Sequence, residues 1–306
     1  MLTRRIFGKT STAISLLGFG GAPVGFLAPE RSQIADLLNT LLDEGLNLID
    51  TAAGYRGSEE LIAEAVGHRR HEYFLVSKCG HPVDGIDPAL PAWSPELITQ
   101  TVDRSLRRLR TDRLDLMLLH TCDLATLRQG DALAALLKAR DAGKIRYVGY
   151  SGDNDAVTYA ARLPEIAVVQ TSLNIVDQAN IDGLLPVAVE HNTGVMAKRP
   201  VANAAWRKLE EQPGIYSDYA RDYTARFAAM KLNLADLGAD SWGELALRFT
   251  LSQPGVTTAI VGTTNVKNAR ANLAAARRGP LPAETVAKIR TAFTTAQPAE
   301  GWPGLT

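Results

Sequence analysis

Four ionisable side chains stand out for where they fall. Asp50, Tyr55, Lys78 and His120 each end or closely follow a short apolar run. Asp50 closes the apolar part of LNLIDTAAGYRGSEE (46–60), and Tyr55 comes after a turn of small residues. A carboxylate at the end of a buried strand needs a partner, because an unpaired buried charge is costly. Lys78 ends the next apolar run, and His120 ends LDLMLLH (114–120). Singly, a strand-end lysine or histidine is most often a solvated surface group. Together these residue types compose a proton-donating site. Tyrosine, with a pKa of about 10, is a poor acid at neutral pH, and a nearby ammonium favours the phenolate and lowers that value. In this reading Lys78 supplies the ammonium, Asp50 holds it and offsets its burial, and His120 orients a carbonyl oxygen. Such a tyrosine is suited to protonating an oxyanion. No serine or cysteine nucleophile arrangement competes. Cys79, His120 and Cys122 lack the paired spacing of a zinc site, so no metal is expected.

Helix and strand signals alternate from Ser32 onward, and this alternation brings the four groups to one rim. Ile34, Leu37, Leu38, Leu41 and Leu42 recur at the spacing of one helix face, with Ser32 as N-cap and Gly45 as stop. Strands are predicted at 14–20, 46–50, 73–78, 114–120, 145–151, 166–171, 193–198 and 257–262. Helices are predicted at 58–66, from Ser94-Pro95 onward, and at 127–142, 155–162, 181–191 and 265–276. Another follows the capping box Ser241-Trp242-Gly243-Glu244. Near-continuous apolar strands indicate a parallel sheet buried on both faces. Eight strand–helix units predict an α/β fold, a (β/α)8 TIM barrel. A short β-hairpin with Gly8-Lys9 in its turn precedes it, running into a strand over 13–19. An extra C-terminal helix (281–296) and an irregular tail follow. Barrel sites form at the carboxyl ends of strands. Asp50, Lys78 and His120 therefore end the second, third and fourth strands, and Tyr55 lies in the loop after the second.

Average domain size would divide 306 residues in two, but barrels of this length form a single unit, and no linker interrupts 1–306. The stretch 201–240 has no strand and is expected to be a loop or helical insertion at the barrel mouth. Tyr216, Tyr219, Tyr223, Phe227 and Met230 recur there at helical spacing. They predict a helix packed on the barrel, in a segment that shapes the substrate pocket. Lys+Arg 33 balances Asp+Glu 33, which argues against nucleic acid or an acidic membrane as partner. Two cysteines make no disulfide framework and point to a reducing, cytoplasmic setting. Arg4-Arg5 superficially matches a twin-arginine export signal. Gly18, Gly20, Gly21, Pro23 and Gly25 break the apolar segment that would follow, which favours the hairpin. No apolar run approaches the roughly 20 residues of a membrane span.

Several segments resemble the aldo-keto reductase family over nearly the whole chain. They are LGFGGAPVG (17–25), LIDTAAGYRGSEELIAEAV (48–66), LVSKCG (75–80), LDLMLLH (114–120), GKIRYVGYS (143–151), VVQTSLN (168–174) and AIVGTTNVKNARANL (259–273). The second is the most specific, combining Asp50, Tyr55, Gly57, Ser58 and Glu59 at the family's spacing. The resemblance implies reduction of a small aldehyde or ketone with NADPH, NADH being the other possible form. Tyr55 would be the general acid, tuned by Lys78 and Asp50, with His120 orienting the carbonyl. It also implies cofactor contacts at Gly21, at Ser151 and Gln170 for the carboxamide, and at Gly262, Thr263 and Thr264 for phosphate. Asn272 matches an adenine contact. The chain departs from the family where an asparagine usually follows the serine. Gly152 stands there, leaving Asp153 or Asn154 to substitute. Lys198 replaces an aromatic residue, so that Lys198 and Arg199 would touch the pyrophosphate. Asn268, beside Lys267, replaces an arginine that grips a 2′-phosphate. The departures at Gly152 and Lys198 motivate a rival reading, a cofactor-binding regulatory or partner protein with negligible turnover. A dinucleotide glycine loop is a weaker reading of GFGGAP, because Pro23 stands at its third glycine.

Overall fold

The computed structural model describes residues 2–211 and 214–305, with backbone only over 214–219. The hairpin comes first. β1 (Arg4–Ile6) pairs antiparallel with β2 (Ala13–Ser15) around a tight turn at Gly8–Thr10. Gly8 has φ +52°, and a side chain there would strike the Gly194 backbone, so the turn requires glycine. Phe7 is fully buried inside the barrel against Ile14, Leu48, Phe74 and Leu116. Lys9 Nζ donates to the carbonyls of Leu163 (3.0 Å) and Ile166 (2.7 Å). Arg5 donates to those of Val256 and Leu251. The hairpin thus closes the amino-terminal end of the barrel, and Arg5 has a structural use in that floor.

The single strand expected over 13–19 is two. β3 (Leu17–Gly20) belongs to the barrel, and Leu16 is the point of exchange. The Leu16 N–H donates to Thr3 in the hairpin, while its carbonyl accepts from Ala259 in the barrel (both 2.9 Å). Two helices follow, α1 (Ala22–Leu27) and α2 (Arg31–Asp43). All five predicted apolar positions of α2 are buried, but the helix starts ahead of Ser32, with Glu30 as N-cap. β4 (Leu48–Asp50), α3 (Ser58–Val66), β5 (Phe74–Cys79) and α4 (Pro95–Leu109) come next. Ser94 caps α4 by accepting from the Leu97 N–H.

β6 (Leu114–His120) leads to α5 (Leu124–Gln129) and α6 (Asp131–Asp141), where one helix over 127–142 was expected. Gly130, at φ +86°, ends the first and begins the second. The chain continues through β7 (Ile145–Ser151), α7 (Asn154–Arg162), β8 (Ile166–Ser172), α8 (Ala179–Glu190) and β9 (Gly194–Lys198). Then come α9 (Gly214–Met230), α10 (Trp242–Leu251), β10 (Thr258–Val261), α11 (Val266–Arg277) and α12 (Ala283–Ala296). Ser241 accepts from the Glu244 N–H at α10. Glu244 does not complete the capping box, because its carboxylate pairs with Arg248 and Arg278.

Strands β3 to β10 close into one parallel barrel, with β10 pairing β3. α9 packs on α12, and with α10 they share an apolar cluster around Tyr223, Phe249, Ile289 and Phe293. The side chains of Tyr216 and Tyr219 lie outside the described residues. Among the described residues no helix is long and apolar enough to cross a membrane.

Candidate active site

The barrel register sets Asp50, Lys78 and His120 at the carboxyl ends of β4, β5 and β6. Here they meet a cavity of about 750 Å³. Lys78 Nζ lies 2.7 Å from Asp50 Oδ2 and donates to the Thr51 carbonyl at 2.8 Å. The other Asp50 oxygen accepts from Gln170 Nε2 (3.0 Å), and Gln170 Oε1 accepts from Ser151 Oγ (3.0 Å). One hydrogen-bonded line therefore joins β4, β5, β7 and β8 beneath the cavity. Burial lifts the Asp50 carboxyl, and the contact with Asp50, reinforced by Tyr55, outweighs burial to lift Lys78 above the usual lysine value. With both oxygens and the ammonium hydrogen-bonded, the charged pair is the state that satisfies every atom.

Tyr55 stands over this pair. Lys78 Nζ is 5.0 Å from its ring centroid, and the His120 ring meets it edge-on at 6.1 Å. The expectation that Lys78 would lower the Tyr55 pKa is half met. Lys78 does pull it down, but burial is the larger effect and the phenol is held above the ordinary tyrosine value. Tyr55 is therefore protonated at neutral pH. His120 is pushed well below the usual histidine value, first by burial and then by Lys78, Lys198 and His81, which leaves a neutral imidazole facing the phenol.

The proposed cofactor contacts divide into two groups. Ser151, Gln170, Lys198, Arg199, Gly262, Thr263, Thr264 and Asn268 all line the same cavity. Gly21, Lys267 and Asn272 are not on its wall. Gly21 serves packing: its N–H donates to the Asp50 carbonyl (2.7 Å), and a Cβ there would come within 2.8 Å of Ser58 Oγ. Asn265 caps α11 by accepting from the backbone of Lys267 and Asn268. Neither Asp153 nor Asn154 reaches the cavity wall in place of the asparagine expected near Ser151. Asp153 pairs with Lys198 Nζ at 3.0 Å and accepts from Thr171, Ser172 and Asn180. Despite burial, these contacts hold its carboxyl below the usual range. Asn154 both donates to and accepts from Gly304 of the C-terminal tail. Arg199 Nη1 donates to the Leu305 carbonyl (2.6 Å) and to Ser172 Oγ (3.2 Å).

Pattern reading missed three neighbours of the site. Phe26 of α1 meets the Tyr55 ring edge-on at 5.4 Å. His81 Nε2 donates to the His120 carbonyl at 2.7 Å, and its ring packs on Trp93 at 4.7 Å. Trp93 occupies the space that a side chain at Gly80 would fill. His81 follows the end of β5 and was open to the same rim argument as Lys78. Phe26 carried no such signal, since α1 lies in a glycine-broken stretch. From 201–240 the cavity takes Val201, Asn203 and Ala204, while the described side chains of α9 pack elsewhere. No group of three or more His, Cys, Asp or Glu among the described residues forms a metal site.

A model described as the Aldo/keto reductase family matches residues 16–293. The chain belongs to this family. The aldo-keto reductase is accordingly an NAD(P)-dependent oxidoreductase acting on small-molecule carbonyl compounds. It is 28% identical to the uncharacterized oxidoreductase YqkF of Bacillus subtilis, over 95% of this chain and 96% of the relative. To the NADH-specific methylglyoxal reductase of Escherichia coli it is 26% identical, over 88% and 91%. Among solved structures it superposes on an aldo-keto reductase from Klebsiella pneumoniae in complex with NADPH. The TM-score is 0.75 and the identity 25%, covering 100% of this chain and 99% of that one.

Proposed function

We propose that this aldo-keto reductase reduces a small aldehyde or ketone to the alcohol, with the proton coming from Tyr55. The observation that carries the reading is the buried line Asp50–Lys78–Tyr55 facing a neutral His120 in one cavity. The donor set around that cavity fits a dinucleotide. Ser151 and Gln170 offer hydroxyl and amide groups suited to a carboxamide. Gly262, Thr263 and Thr264 lead into the N-terminus of the 12-residue α11, a setting that favours phosphate. Lys198 and Arg199 add positive charge at the end of the neighbouring strand β9.

When bound, the reduced nicotinamide supplies the hydride to the carbonyl carbon. The chain's own residues act on the oxygen. His120 donates a hydrogen bond that orients the carbonyl, and the Tyr55 phenol transfers its proton as negative charge develops there. Lys78 stabilises the phenolate left behind, and Asp50 keeps Lys78 charged. Val201, Asn203 and Ala204 join Pro82 and Val83 as the walls that select the substrate.

The Escherichia coli relative is NADH-specific, whereas the Klebsiella pneumoniae structure holds NADPH. We assign NADPH, with the 2′-phosphate end met by Asn268 on the cavity wall and by Lys267, which lies beside it outside the wall and supplies a cation. Fluorescence titration of both forms, followed by an aldehyde and sugar panel, tests the reading. Tighter NADPH binding and turnover of at least one carbonyl are expected. No oxidation of either cofactor across the panel would end it. We place the enzyme in the cytoplasm because Cys79 and Cys122 are buried free thiols, which suit a reducing compartment. Recovery of the protein from an extracytoplasmic fraction would contradict that placement.

A further inference from the structure

Arg104 lies on α4, away from the reacting groups, yet it is only 5% exposed. Its guanidinium joins two loops. Nε donates to the Asp84 carbonyl at 2.7 Å and Nη1 to the Ala53 carbonyl at 3.2 Å. Ala53 is two residues ahead of Tyr55, and its own N–H is held by the Lys78 carbonyl. Asp84 follows Pro82 and Val83, which face the same cavity. Glu59 Oε2 lies 3.5 Å from Nη1, close enough to balance the charge, and Glu59 Oε1 accepts from Ser77 Oγ at 2.9 Å. A second cavity of about 550 Å³ lies behind these loops, with Arg104 in its wall. The two cavities share Ala53, Gly54, Pro82 and Val83, so the joined loops are the partition between them. Across the partition the loops nearly touch, since a Cβ on Gly54 would meet Val83 Cγ1 at 4.0 Å.

We propose that Arg104 is a positioning residue for carbonyl reduction, its guanidinium clamping the Tyr55 loop to the 82–84 loop and so setting the depth of the phenol. The clamp rests on the reading of Tyr55 as proton donor. It needs arginine for a geometric reason. Two nitrogens of one planar group donate to two carbonyls on different loops, whereas a lysine ammonium reaches one of them. Losing the clamp lets the partition shift, and displacement of a reacting group by about 1 Å can cost about 10²-fold in rate. The dinucleotide-facing residues lie on β7 to β9, in the loops after β9 and β10, and on α11, none of which Arg104 bonds.

The test uses R104A of the full chain with NADPH and a turned-over aldehyde. The kcat should fall about tenfold or more while NADPH affinity stays within about twofold. Added ethylguanidinium, which the second cavity admits, should restore kcat, and ethylammonium at equal concentration should not. Unchanged kcat, equal rescue by both cations, or a matching loss of NADPH affinity would each overturn the clamp. If R104A does not fold, R104K decides. It should lose kcat at near-native Tm, and wild-type kcat would overturn the proposal. Y55F is run in parallel. Retained turnover in Y55F removes the proton-donor reading, whereas an inactive Y55F beside a fully active R104A removes only the clamp.

Discussion

Lys78 Nζ and Asp50 Oδ2 are 2.7 Å apart at the ends of adjacent barrel strands, and neither side chain is more than 2% exposed. A pair withdrawn from water this completely is costly to split. Removing one partner of a buried pair leaves an uncompensated charge, at a cost of about 3–5 kcal/mol. Asp50→Asn and Lys78→Met should each destabilise by about that amount and depress turnover. The double variant should cost less than the sum, because it strands no charge. A denaturant double-mutant cycle reads this directly, and additive losses would show that the pair does not act as a unit.

The pH dependence of reduction follows from two shifts of opposite direction. In the proposed mechanism Tyr55 must be protonated, and burial holds it above the usual value of about 10. The same proposal requires a neutral His120, and burial with neighbouring charges holds it well below the usual value of about 6.5. The kcat for reduction should therefore be flat between about pH 6.5 and 9. A pH–rate profile measures this, and an acid limb near the ordinary histidine pKa would contradict the neutral imidazole.

A carboxyl outside the reaction makes a stability prediction. Burial raises Asp177 to about 6, against the hydrogen bonds from the Leu305 N–H (3.0 Å) and the Tyr223 hydroxyl (2.9 Å). Between about pH 4 and 6 the folded protein holds a proton that the unfolded chain has released. This group's contribution to stability therefore falls as pH rises through that window, by up to about 3 kcal/mol. Asp177→Asn keeps an acceptor for both donors and carries no charge. It should be more stable than the wild type at pH 8, with the difference vanishing near pH 4. Thermal unfolding of both proteins across that range checks it, and a more stable wild type at pH 8 would refute it.

Much of the barrel was legible because its strands are uninterrupted apolar runs. Residues 114–120 and 145–151 read correctly to the residue. The boundary at Leu16 was hidden because the strand pattern continues while the hydrogen-bonding partner changes from Thr3 to Ala259. Gly130 was hidden because one glycine inside a helical pattern is often tolerated, and only its φ of +86° shows the break. The Asp50–Lys78 pairing could be read from a charge at a strand end. The direction of the Tyr55 shift could not, because it depends on how deeply the ring is buried once the loops close over it. Asp153 was considered for the cofactor, yet Lys198 and three hydrogen bonds hold it inside the wall.

The most direct measurement is single-turnover reduction by Tyr55→Phe, with NADPH affinity determined on the same preparation. Reduction should slow by about 10²-fold or more while affinity stays within a few-fold. Wild-type turnover in that variant would contradict the account by showing that the proton comes from another group.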